Sequence, residues 1–145
     1  MNYAGRRDRL RRVLKRHGVS ALLVTDPLNV TYLTGFTGED SFLLLWPEGQ
    51  LLLTDARFTQ QVEAECPGLD VVVRSVGTTM LEVVRRSVQE ASLSRLGIEA
   101  DNVSVAFFEK LSTQLKRVEL IKTGGMVEHL RRLKQPEEVA RIREA

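Results

Sequence analysis

The sequence predicts an α/β domain built on a mixed sheet, and three observations lead there. Short apolar runs alternate with segments of helical periodicity along the 145 residues, the pattern of strands and helices packed in layers. Two of those runs, Phe42–Trp46 and Gln50–Thr54, are joined by Pro47-Glu48-Gly49, a short turn that suits an antiparallel hairpin and makes the sheet mixed rather than parallel. The length is that of one domain, and no internal repeat, low-complexity tract or Pro/Ser/Gly-rich linker divides it.

Each element has a local reason. Residues 6–17 read as a helix with Leu10, Val13, Leu14 and His17 on one face, seven Arg and Lys on the rest as a solvated surface, and Gly18 as the stop. Ser20–Thr25 is a buried strand ended by Asp26-Pro27, and Asn29–Gly35 a short helical turn followed by a loop. The hairpin comes next, then a helix over 56–65 and a strand over Leu69–Arg74. Thr78 or Thr79 caps a helix whose apolar face is Met80, Leu81, Val84 and Val88. Arg95–Glu99 is a strand, Ser104 caps a helix through Leu115, and Val118–Ile121 is the last strand. Residues 126–134 are helical, and Pro136 suits the first turn of one more helix.

Composition bounds the function. Hydrophobic residues make up 43% and charged residues 28%, ordinary values for a soluble domain, and a formal charge of +2 does not call for a polyanionic partner. The single cysteine, Cys66, excludes an internal disulfide and reads as a small apolar residue at a helix end. The N-terminus lacks the apolar stretch of a secretory signal, and no run approaches the ~20 residues of a membrane span, so a cytoplasmic protein is expected. The basic first helix carries no interleaved aromatic residues for base stacking, which argues against nucleic acid, and its apolar face is narrow for a membrane surface.

Catalytic motifs are missing. The two histidines, His17 and His129, stand in no ligand spacing, and HExxH, CxxC, GxSxG, GxGxxG and the Walker pattern are all absent. His17 reads as structural and His129 as solvated. No catalytic residue and no metal ligand is assigned.

Two segments carry a resemblance. Asn29-Val30-Thr31-Tyr32-Leu33-Thr34-Gly35-Phe36-Thr37-Gly38 followed by Leu52-Leu53-Thr54-Asp55-Ala56-Arg57-Phe58 resembles the N-x-x-Y-L-T-G-F-x-G … L-x-T-D-x-R-Y pattern of the creatinase/Xaa-Pro peptidase family, in its N-terminal domain. The Pro67-Gly68 turn continues the likeness. Leu130-Arg131 through Ile142-Arg143-Glu144-Ala145 looks like that family's boundary into its catalytic domain. Phe58 stands where Tyr is usual, and Glu39-Asp40 where relatives often have small residues.

The resemblance implies a three-layer α/β/α fold of ribonuclease H-like layout over residues 1–130, with 131–145 a boundary helix leading into a pita-bread catalytic domain. That domain would supply two divalent metals, manganese or cobalt, held by two Asp, one His and two Glu, all beyond Ala145. The metal-bound hydroxide would cleave the peptide bond N-terminal to proline. The chain itself would hold no cofactor. It would act as an accessory domain in packing on the catalytic domain, in homodimerisation and in gating a proline-containing peptide. Interface or gating candidates are Tyr32, Phe36, Asp55, Arg57 and Phe58. Bland alternatives stand beside them: Tyr32 and Phe36 as core, Asp55 as an N-cap, Arg57 as its ion-pair partner. Two other functions remain open: an interaction module of a catalytically dead relative, and a nuclease using Asp26, Asp55 and Glu99.

Overall fold

In the computed structural model, which describes residues 1–133, the chain opens on an N-cap: the Asn2 Oδ1 accepts the Gly5 N–H at 2.9 Å and starts helix α1 (Tyr3–Arg16). This cap is why the helix begins before residue 6. Leu10, Val13 and Leu14 are buried as expected. His17 leaves that stripe and is the exposed C-cap, its N–H shared between the Val13 and Leu14 carbonyls. Strand β1 (Leu22–Val24) is wholly buried. Asp26-Pro27 does more than end it. The Asp26 Oδ1 accepts the Leu28 N–H at 3.0 Å and Pro27 fills the first turn, so two full turns of helix α2 (Pro27–Thr34) stand where a single turn and a loop were expected. Gly35, at φ +82°, closes α2 with its N–H on the Thr31 carbonyl.

Strands β2 (Phe42–Trp46) and β3 (Gly49–Asp55) form the hairpin, in register from Phe42↔Leu53 to Trp46↔Gly49. A 3₁₀ turn (Ala56–Phe58) precedes helix α3 (Thr59–Glu65). Strand β4 (Val71–Arg74) starts two residues later than expected because the Leu69 N–H is turned onto the Cys66 carbonyl. Helix α4 (Met80–Glu90) is capped by Thr79, and helix α5 (Val105–Gln114) by Ser104. Between them lies β5 (Arg95–Glu99), and after them β6 (Glu119–Thr123) and α6 (Met126–Arg132). Strand β6 runs to Thr123 because β5 continues to pair with it there. The boundary helix expected from Pro136 lies outside the described residues.

The sheet order is β4-β3-β2-β1-β5-β6, with only β2 running against the others. The β1–β2–β3 meander with parallel strands added beside β1 is the mixed layout expected. One face packs on α1, α2, α3 and α6 through Leu14, Val30, Leu33, Val62 and Val127. The other packs on α4 and α5 through Val84, Val88 and Leu111. Alternate residues of β1 serve the two faces, Leu22 and Val24 one, Leu23 the other.

The arginines of α1 correct the sequence reading. They are not simply a solvated face. Arg6 is 4% exposed, donates to the Tyr32 carbonyl at 2.9 Å and lies 4.1 Å from the Tyr32 ring centroid. Arg7 donates to the Leu33 carbonyl at 2.8 Å. Arg11 reaches the hairpin, donating to the carbonyls of Trp46 and Gly49, both at 2.8 Å, and to the Gln50 side chain. Arg12 stays exposed. Arg11→Ala is therefore expected to cost about 1–3 kcal/mol. Arg12→Ala should stay within ~0.5 kcal/mol of the parent protein. Urea denaturation of the two variants distinguishes a tethering helix from a merely solvated one.

Candidate functional site

Five of the six strands run the same way, so their C-terminal ends share one edge of the sheet, and the Asp55–Phe58 turn stands on it at the end of β3. Asp55 is buried and Arg57 largely exposed. The Asp55 Oδ1 accepts the Arg57 N–H at 2.9 Å, capping the 3₁₀ turn. The Arg57 Nη2 and Nε lie 2.8 and 3.2 Å from the Asp55 Oδ2, and Nε 3.0 Å from Oδ1. Arg57 also reaches Asp40 at 3.4 Å, and Arg74 comes within 3.8 Å of Asp55. Hydrogen bonding from Arg57 outweighs burial and holds the Asp55 carboxyl below its ordinary range. Both structural alternatives for this pair, cap and ion pair, are present.

The aromatic candidates form a chain inward from that turn. The Arg57 guanidinium lies 5.0 Å from the Phe58 ring centroid, and Phe58 meets Phe36 edge-on at 5.7 Å. Phe36 is fully buried and Tyr32 packs partly buried on the same core, its hydroxyl 3.3 Å from the Leu130 carbonyl. A Cβ on Gly38 would run into the Phe36 ring, so this position has no room for a side chain. The loop between them is held by Glu65, which sequence reasoning did not single out. Its carboxylate accepts from the Thr37 hydroxyl at 2.8 and 2.9 Å, from the Thr37 N–H at 3.2 Å and from Gln61 at 2.7 Å. Burial would raise the Glu65 carboxyl, but these donors prevail and hold it below its ordinary range. The only cue in the sequence was its place at the C-terminal end of α3, just before the Pro67-Gly68 turn.

The three acids considered for metal-dependent cleavage are not gathered. Asp55 is turned onto Arg57. Asp26 and Glu99 line a small cavity of about 40 Å³ together with Asp101 and Glu128. Glu99 is committed to N–H donors: Thr25 at 2.6 Å, Asp26 at 2.9 Å and the Asn29 amide at 2.7 Å. Among the described residues no group of three or more His, Cys, Asp and Glu side chains is placed to hold a metal ion. The described residues do not offer the donor set of a two-metal centre. Cys66 is buried, and burial pushes its thiol up, away from the reactive thiolate.

The sequence model of the Creatinase/Prolidase N-terminal domain matches residues 6–133. The chain belongs to this family. It is 33% identical to an Xaa-Pro aminopeptidase structure from Streptococcus pyogenes, covering 88% of this chain and 96% of that one at a TM-score of 0.79. The N-terminal domain of the cytoplasmic peptidase PepQ from Mycobacterium tuberculosis H37Rv is 31% identical, covering 87% and 98%, also at 0.79. An Xaa-Pro dipeptidase from Bacillus anthracis superposes at 0.90 with 26% identity over 99% of this chain, but only 40% of its own. The uncharacterized peptidase YqhT of Bacillus subtilis (strain 168) is 27% identical over 95% of this chain, which spans 38% of that protein. For a creatinase/prolidase N-terminal domain, the two halves of the sequence pattern prove to be neighbours in space: Phe36 of the first touches Phe58 of the second.

Asp55→Ala should cost about 1–2 kcal/mol through the lost cap. Arg57→Ala, removing an exposed partner, should cost under about 1 kcal/mol. Equal losses in denaturation would show that the ion pair outweighs the cap. Because the Glu65 carboxyl is depressed, its grip on the loop is complete above the ordinary value of 4.5 and fades as pH falls through the lower one. The Thr37 amide resonance should move over that acid range in the parent protein and stay fixed in Glu65→Gln.

Proposed function

We propose that this chain serves as the N-terminal accessory domain of a proline-specific Xaa-Pro metallopeptidase and performs no hydrolysis itself. The observation that carries the reading is one of coverage. Nearly the whole chain matches the Creatinase/Prolidase N-terminal domain, yet it amounts to 40% of the Xaa-Pro dipeptidase from Bacillus anthracis. The remaining length of such a protein would hold the catalytic domain, with its two manganese or cobalt ions and the proline-containing peptide. In this reading the present domain packs on that catalytic domain, contributes to a homodimer and borders the partner's active site, and the protein works in the cytoplasm.

The exposed Arg57 guanidinium, steadied by Asp55 and stacked near Phe58, is the group offered to a substrate carboxylate at that border. Phe36 backs Phe58 from the core side. The arginines of α1 bind carbonyls of their own chain, which favours tethering over nucleic-acid contact. No helix among the described residues is long and apolar enough to cross a membrane.

The test compares the 145-residue chain with the product of the natural coding sequence read beyond Ala145, both with added manganese, on Xaa-Pro dipeptides and longer peptides. The longer protein should cleave before proline and the shorter one should not. Arg57→Ala in the longer protein should raise KM with a smaller change in kcat. Cleavage by the short chain would overturn the reading. So would a longer protein that lacks ordered Asp, Asp, His, Glu and Glu ligands and activity, and an interaction module would then replace it.

A further inference from the structure

The sheet ends on β4 at one side and on β6 at the other, and the two edges differ. Strand β6 carries two exposed charges, Glu119 and Lys122, which discourage pairing with another chain. Strand β4 has no such guard between its ends. It reads Val71-Val72-Val73-Arg74, with Asp70 just before it, no proline within it and an unbroken register on β3.

The backbone of β4 is half used. The Asp70 carbonyl accepts the Leu52 N–H at 2.9 Å, and Leu52 stands beside Val71 in the parallel register. In a parallel ladder, alternate residues turn both backbone groups to the same neighbour. Asp70, Val72 and Arg74 therefore face β3. The N–H and C=O groups of Val71 and Val73 face outward, with no strand beyond them among the described residues. The same two residues line an open groove of about 270 Å³ between β4 and α3, together with Val62, Cys66 and Leu69. Val73 is 41% exposed.

The sequence of this edge is its own complement. Laid antiparallel about a two-fold axis at Val72, one copy sets Asp70 opposite Arg74 of the other, and Val71 opposite Val73. The backbone agrees with that register. The Val71–Val73 pairs are the ones with free N–H and C=O groups to exchange, and the pair at the axis is the non-bonded kind, its groups already on β3. Moving the axis to Val71 or Val73 would keep the backbone match but separate the opposite charges. Asp70 is exposed. Arg74 donates to the Thr78 carbonyl at 2.7 Å and lies 3.8 Å from Asp55, which holds it at the strand end with 34% of its side chain exposed.

We propose that two copies of this chain join through β4, antiparallel about a two-fold axis at Val72, so that their sheets continue as one. The Asp70–Arg74 pair, made twice, fixes the register, and Val71 and Val73 of the two copies cover each other beside the α3 grooves. This gives the homodimer of the proposed function a surface, and it rests on that element of the reading alone. Strands of four residues meet over a small area, so the dimer is weak and depends on concentration.

Sedimentation velocity of the 145-residue chain tests this, at low salt and in a concentration series reaching roughly 1 mM. The parent protein should pass from monomer to dimer. Asp70→Arg and Arg74→Asp each turn both attractive pairs into repulsive ones, and each should raise the dissociation constant about tenfold or more. Mixed in equal amounts, the two variants should form a heterodimer as tight as the parent dimer, because each introduced charge meets its opposite on the other chain. Val73→Pro removes an outward donor that β3 does not use, and should abolish the dimer while the circular dichroism stays that of the parent. If Arg74→Asp unfolds through its lost contacts with Thr78 and Asp55, Asp70→Arg and Val73→Pro decide. A parent chain that stays monomeric overturns the proposal. So does a dimer that survives Asp70→Arg and Val73→Pro, or a mixture of folded variants no tighter than each alone. None of these outcomes alters the Xaa-Pro assay of the longer protein, and failure of that assay leaves the β4 dimer standing.

Discussion

Strand β1 stops laddering at Val24, and the next two amides, on Thr25 and Asp26, are met by a side chain, the carboxylate of Glu99. Much of the fold depends on that substitution. A buried N–H left without an acceptor costs about 1–3 kcal/mol, and here two would be orphaned together. Their being satisfied lets the chain leave the sheet at once, lets Asp26 turn to cap α2, and sets the first turn of α2 where Asn29 meets α6. The centre of the sheet and the two helices beside it are thus registered by one acidic side chain that a hydrophobic account of the core would have no use for.

A second constraint comes from the short helix α2. With eight residues, its last carbonyls have no partner within the helix. Arg6 and Arg7 supply donors to two of them, and their charge also suits the negative end of the helix. The high basic content of α1 follows from this task and from the reach of Arg11 to the hairpin. Charge that looks like a surface property in composition is spent inside the molecule, on backbone oxygen.

The contrast between what was legible and what was not follows from range. The hairpin, α4 and β5 could be read because their signals are local: a Pro-Glu-Gly turn, a capping threonine with apolar residues at helical spacing, a short apolar run. The Asp55 cap was legible for the same reason. The length of α2 was misread because Asp26-Pro27 signals both a strand end and a helix start, and only the Leu28 N–H bond decides. Arg6, Glu65 and Asn29 were missed as organising residues because their partners lie 26, 28 and up to 102 positions away. Nothing in a window of sequence marks a polar residue as buried when what buries it is a distant element.

The sheet order has a consequence for how the protein is made. Strand β1 finds its antiparallel neighbour β2 soon after synthesis, but its other neighbour, β5, and the Glu99 carboxylate arrive 74 residues after Thr25. At ordinary ribosomal speed that interval lasts roughly 4–15 s. Throughout it, the nascent β1–β2–β3 meander offers a bare apolar edge with unsatisfied amides, the kind of template that pairs with foreign strands. That edge is therefore open at a stage of synthesis and closed in the finished fold, where β5 pairs along β1.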